Sequence, residues 1–246
     1  MRFGGTSMPS AVDDYPIVRF TASGYRLIPS RFPPVSVYRD LVAPDQVEAL
    51  VEVENKTNPR LRLQDRLMAR REAPKLDSAM LQNWNLAPFT YENPEGTTFF
   101  VPERSCLELA DAPQTALAVS ISRRSRFLSR TKEAATGLDM RMLKTPVDGK
   151  FIDLRQVSAE LPQEQRWSLG EAVPLDVDGI LFRPAERPTA TAIAILKGQV
   201  LGRSIQTTHY RFEWNGVRID RLYAFDEEGT VLRPESLAGK EEVLAA

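Results

Sequence analysis

The sequence predicts an α+β fold, and three observations carry that prediction. Eighteen prolines are scattered through 246 residues, which favours many short elements, because proline interrupts the hydrogen bonding of helices and sheets alike. One amphipathic helix stands near the middle of the chain. The half that follows it reads mainly as strands, and strand–helix–strand order with a strand-rich second half points to α+β.

The elements follow in chain order. Residues 1–24 carry Gly, Ser, Pro and paired acids and read as a loose lead-in to a domain over 25–233. Pro44–Glu54 reads as a short helix: Pro44 and Asp45 suit its start, and Val47, Leu50 and Val51 share a face. Asn58-Pro59 ends it. The basic stretch from Arg60 to Arg71 reads as a solvated helix or loop. Residues 87–112, with Pro88, Pro94, Gly96 and Pro102, read as loop and short strand. A helix is expected from about Pro113 to Ser129, capped by Asp111, with Leu117, Ile121 and Leu128 near one stripe. Arg123, Arg124, Arg126 and Arg130 crowd its last turns, where cations suit the helix dipole. A phosphate-binding role for them is the less favoured alternative, because helix C-termini repel anions. Met140–Leu143, Phe151–Leu154, Gly179–Phe182 and Ala190–Leu196 read as short strands. In Tyr210–Ile219 alternating Phe212 and Trp214 precede Asn215-Gly216, which suggests a type I′ hairpin returning through Val217 and Ile219. Residues 234–246 form a tail, helical or frayed from Leu237 onward. No internal repeat is present.

Composition narrows the function classes. The formal net charge is −1 and the sequence pI about 6.0, so there is no basic excess of the kind nucleic-acid binding needs. No apolar run approaches the length of a membrane span, and Met1–Ser10 lacks the pattern of a secretory signal. A single cysteine, Cys106, allows no intrachain disulfide and suits a reducing cytoplasm. Cys106 reads as a small buried hydrophobe rather than a nucleophile. His209 is the only histidine. A histidine-based zinc cluster is therefore excluded, and a hydrogen-bonded structural role fits His209 better than general base catalysis. No GxGxxG, Walker or G-x-S-x-G motif occurs. Carboxylates such as Glu103, Glu108, Glu160 and Asp178 are plentiful, but spacing alone does not pair them.

Four stretches carry a family resemblance. They are YRLIPSRFPPVSVYRDLV (Tyr25–Val42) followed by TNPRLR (Thr57–Arg62), and APFTYENPEGTTF (Ala87–Phe99). The third is TALAVSISRRSRFLSRT (Thr115–Thr131) followed by LDMRML (Leu138–Leu143). The last is DGILFRPAERP (Asp178–Pro188) with the hairpin at Tyr210–Ile219. In order and spacing they resemble the RES-domain family of bacterial NAD-degrading toxins. The resemblance spans about Tyr25 to Leu222. It implies a compact fold similar to the ADP-ribosyltransferase catalytic core. It also implies attack by phosphate or water on the ribose carbon that bears nicotinamide, and an antitoxin-like protein partner that occludes the site. A homodimer stays open beside that partner. No cofactor or metal is implied; NAD enters as substrate or ligand.

Such chemistry passes through an oxocarbenium-like transition state, as glycoside cleavage does. It needs arginines on the pyrophosphate, a carboxylate near the ribose, a tyrosine that orients the substrate and a late serine. Carried over by resemblance, the first arginine falls on Arg26 and is kept. The second falls on Thr98. The tyrosine falls on Leu107 or Glu108, the glutamate on Val119 and the serine on Pro184, with Glu186 where a further arginine is expected. Loss of one stabilising group commonly costs about 10²–10³ in rate. The resemblance therefore points to a catalytically degenerate RES-domain protein that binds a partner or a nucleotide. The alternative is an active enzyme with relocated groups, for which Glu103, Glu108 and Arg104 are the candidates. A third reading is a scaffold reused for assembly. With Glu103, Glu108 and Glu186 in place, an inherited cleft is expected to be more acidic and weaker for pyrophosphate.

Overall fold

The computed structural model describes residues 12–30, 82–226, 229–239 and 243–244, with scattered positions from 46 to 56. The helix expected over Pro44–Glu54 falls mostly, and the basic stretch 60–71 wholly, outside the described residues. Among those described, strands and helices run in the order β1 (Ile17–Pro29), α1 (Asn83–Thr90), β2 (Leu107–Ala110), α2 (Pro113–Thr131), β3 (Thr136–Asp153), α3 (Gln163–Glu171), β4 (Gly179–Phe182), β5 (Ala192–Ile195), β6 (Ile205–Trp214), β7 (Ile219–Phe225), β8 (Val231–Leu232) and α4 (Pro234–Leu237). This is the α+β class expected.

The eight strands follow the spatial order β1-β2-β5-β4-β3-β6-β7-β8, and β1 also pairs β3. That extra pairing closes β1, β2, β5, β4 and β3 into a ring, while β6, β7 and β8 extend outward. β3 makes the arrangement possible. One of its edges pairs antiparallel with β1 from Met140↔Pro29 to Ile152↔Ile17. Along the other, Thr136–Lys144 pair antiparallel with β6, and Phe151–Asp153 pair parallel with β4. The sequence reads here as two short pieces because Pro146 and Gly149 separate two apolar runs. In the fold these residues lie between Lys144, the last partner of β6, and Phe151, the first of β4. A proline is tolerated where a ladder is interrupted, so one strand spans both runs.

The lead-in reading fails from Ile17 onward, because residues 17–24 hydrogen-bond along β3. The N-terminal stretch looks loose only because its charged and small residues lie on a half-exposed strand. Two helices escape the sequence reading. α1 contains Pro88, and α3 has no clear apolar stripe, burying only Leu169 and Gly170.

Helix α2 matches its expected range closely, with Pro113 in the first turn. Its cap does not match: Ala112 holds the N-cap position, and the Asp111 carboxylate instead accepts from the Thr191 backbone N–H at 2.7 Å. Lys132, with φ 54°, ends the helix in the left-handed region. Leu117, Ile121 and Leu128 pack beneath it onto Met140, Met142, Phe212 and Trp214.

The hairpin alternates as expected, with Tyr210, Phe212 and Trp214 all buried, but its turn differs. Of the two turn residues only Gly216 has a positive φ, 93°, whereas a type I′ turn needs two. Trp214 pairs with Ile219, which leaves a four-residue loop. The Asn215 side-chain carbonyl accepts from the backbone N–H groups of Val217 and Arg218, both at 2.9 Å. Val217 is exposed in that loop rather than in the return strand. The tail is docked rather than frayed at Leu237, which is fully buried. Gln114 Nε2 donates to the Leu237 carbonyl at 3.2 Å, and Arg187 Nε to that of Gly239 at 3.2 Å.

Phe151 has no exposed surface and stands where β3 meets both β1 and β4. Phe151→Ala is expected to destabilise the fold by about 3–5 kcal/mol, read from the shift of a urea unfolding midpoint at unchanged slope.

Candidate functional site

A cleft of about 1110 Å³ opens between the second half of α2, strand β2, residues 25–27 of β1 and the loops around 91–106, 157–163 and 182–186. Arg26, Thr98, Glu108, Val119, Pro184 and Glu186 all line it. The positions singled out by resemblance, distant in sequence, are thus brought together on one concavity.

The details settle several assignments. Of the two candidates for the tyrosine position, Leu107 is 1% exposed and belongs to the core with Phe151 and Ile193. The Glu108 carboxylate, on the opposite face of the strand, accepts the Thr98 backbone N–H at 3.0 Å and the guanidinium of Arg123. Its side chain is 8% exposed, against 50% for Arg123. Burial alone raises the pKa of Glu108. The charge of Arg123 and its hydrogen bond, with those from Thr98, outweigh it and hold the carboxyl below its ordinary range. Glu108 is therefore a buried, satisfied anion.

Arg26 differs in kind. Its guanidinium donates to the Trp84 carbonyl, its Nε is buried with no hydrogen-bond partner, and no described carboxylate pairs with it. Burial lowers its pKa to about 10. A cation held this way, in a cleft wall and without a counter-ion among the described residues, is energetically unfinished, and an anionic ligand would complete it.

Arg166, on α3, also has a buried Nε without a partner, although its Nη2 donates to Gln163 Oε1 at 2.7 Å. Burial, followed by the nearby charge of Arg123, lowers the pKa of Arg124. Seven arginines and four glutamates line the cleft. Of the three glutamates expected to make the cleft more acidic, Glu108 and Glu186 line it and Glu103 does not, and Glu108 is paired with Arg123. Sequence reasoning assigned Arg123, Arg124 and Arg126 to the helix dipole, yet all three line the cleft, and only Arg130 occupies the last turn. The signal was present, since Val119, Arg123, Arg126 and Arg130 recur at helical spacing and share a face. Arg166 carried no such signal, because its helix was not legible.

The candidates for relocated chemistry fare less well. Arg104 donates to the carbonyls of Gly170, Glu171 and Val173, at 2.5, 3.3 and 3.2 Å, and packs over Phe100. It closes the end of α3 against the 97–100 loop while also lining the cleft. Gly170 lies in that contact: a Cβ there would stand 1.7 Å from the Phe99 carbonyl oxygen. His209 does not line the cleft. Cys106 is buried, and desolvation, then the charge of Glu108, drive its thiol pKa up. Among the described residues no group of His, Cys, Asp and Glu could hold a metal ion, and no helix is long and apolar enough to cross a membrane.

Two comparisons bear on the origin of this cleft. The RES domain family model matches residues 75–215, which include β2, α2 and all the cleft positions except those on β1. The Sinorhizobium fredii protein described as "Uncharacterized protein y4oC" is 59% identical over 221 residues, covering 90% of this chain and 95% of its own.

Two outcomes follow from the site geometry. Because the folded-state pKa of Glu108 is depressed, its contribution to stability is fully present above the ordinary carboxylate range and is lost as pH falls through the folded value. The stability gap between wild type and Glu108→Gln is therefore expected to shrink as denaturation is repeated from neutral pH down through the acid range; a constant gap would refute this. The Cys106 thiol is expected to resist a disulfide-exchange reagent in the native protein and to react once urea unfolds it.

Proposed function

The chain belongs to the RES-domain family, and on that premise we propose that it binds a phosphate-bearing nucleotide of the NAD class without a toxin's turnover. It then acts through the bound state or through an antitoxin-like protein partner. One observation carries the reading: the cleft keeps Arg26, buried and without a carboxylate partner among the described residues, while Val119 and Pro184 stand where the family chemistry needs a carboxylate and a hydroxyl.

The two halves of the site point in different directions. Binding a pyrophosphate needs guanidinium donors in a partly desolvated setting, and Arg26, Arg124 and Arg166 supply them. Cleaving the bond to nicotinamide needs an anion beside the ribose as positive charge develops there. Valine at 119 supplies none. Glu108 is engaged by Arg123 and Thr98 and is not free to follow a developing cation. Losses at several such positions are not additive, but together they leave little catalysis. An ADP-ribosyltransferase-like core, a toxin–antitoxin setting and a cytoplasmic site of action belong to the same proposal and rest on the family alone.

Purified protein incubated with NAD, with and without phosphate, is expected to release no more nicotinamide than a heat-killed control, beside an active RES toxin that releases it readily. Calorimetry is expected to register NAD binding, weakened by about 10- to 100-fold in Arg26→Ala, the range for losing a charged hydrogen bond. Release that depends on Arg26 would instead identify an enzyme with a rebuilt site.

A further inference from the structure

Glu108 stands in the cleft with an unusual set of partners. Its carboxylate takes a backbone N–H from Thr98 and a guanidinium from Arg123. A peptide N–H and an arginine are also what a phosphate oxygen selects. The donors come from the 97–100 loop and from α2, two parts of the chain that the carboxylate joins from β2. All three residues line the same cleft as Arg26, whose buried Nε has no partner.

Building on the nucleotide-binding reading above, we propose that Glu108 is a built-in anion that occupies the oxyanion donors of Thr98 and Arg123 and so decides which phosphate ligands the cleft accepts. In the wild-type protein the charge of a diphosphate group is received by Arg26 and the neighbouring uncompensated arginines. The second set of donors is closed to it. The geometry separates this role from that of a core ion pair. The carboxylate is buried but its arginine is half-exposed toward the cleft, so Arg123 can turn to a ligand once its partner is neutral. Glu108→Gln keeps the size and the acceptor for the Thr98 N–H, but removes the attraction for Arg123.

The test is calorimetric titration of inorganic pyrophosphate, and separately of NAD, into the full chain. Glu108→Gln is expected to tighten pyrophosphate binding by about tenfold or more, as a charge-assisted site becomes available. The gain is expected to vanish in Glu108→Gln/Arg123→Ala, because the two residues then couple. A gain for both ligands identifies a dinucleotide as the fitting source of the diphosphate. A gain for pyrophosphate alone identifies the free ion. A folded Glu108→Gln with unchanged or weaker affinity for both overturns the proposal. Arg26→Ala in the wild-type background reports on the underlying binding reading by itself: loss of NAD binding there, with no gain in Glu108→Gln, refutes only the role of Glu108. Should Glu108→Gln fold poorly, amide NMR of the wild type decides. The Thr98 amide resonance is expected to stay in place under pyrophosphate, and a shift matching those around Arg26 would overturn the proposal.

Discussion

Strand β3 is shared between two sets of neighbours, and the rest of the structure depends on that sharing. Its first half belongs to a sheet continued by β6, β7 and β8, its second half to a ring closed through β4, β5, β2 and β1. β1 runs along its other edge from Met140 to Ile152. A strand has two hydrogen-bonding edges, so it can serve two partners on one edge only by being long enough to do so in succession. The 18 residues of β3 meet that condition. The ring in turn sets β1 beside β2, with Tyr25 opposite Ala110, and thereby brings Arg26 to the same concavity as Glu108.

The electrostatics of that concavity follow from burial rather than from a count of charges. Arg104, Arg123 and Arg183 are held by carbonyls or by a carboxylate. Arg26 and Arg166 each retain a buried donor with nothing to receive it. An unpaired buried donor costs more than an exposed one, so these two define where an anion gains most. The carboxylates are arranged in the opposite sense: the most buried of them, Glu108, is the one most completely satisfied. On the function proposed above, such an arrangement serves to hold a phosphate rather than to assist a developing positive charge.

The wall opposite α2 owes its shape to close backbone approach. Gly170 lets α3 meet the Phe99 carbonyl, Arg104 ties the end of that helix to the loop below it, and Trp167 Nε1 donates to the Thr97 carbonyl at 3.1 Å. Thr98 is fixed between this layer and Glu108. Side-chain hydrogen bonds hold the loop that carries Thr98 in place.

Much of this was determined by the sequence itself. The alternation of Tyr210, Phe212 and Trp214 fixes a strand and its buried face, because side chains in a strand alternate across the sheet. The stripe of Leu117, Ile121 and Leu128 fixes α2, and the resemblance of four stretches marks Arg26, Thr98, Val119 and Pro184 before any contact is known. Other features are non-local and belong to the tertiary structure alone. That β3 is one strand depends on where its partners change, not on Pro146. That residues 17–24 are a strand depends on β3, since nothing in their own pattern demands it. That Glu108 meets Arg123 while Leu107 packs into the core depends on which side of β2 the core lies. Net charge gave no hint that Glu108 would be neutralised by Arg123 and that Arg26 would donate to the Trp84 carbonyl, because pairing is decided by distances between residues 15 and 58 positions apart, which only the folded chain sets.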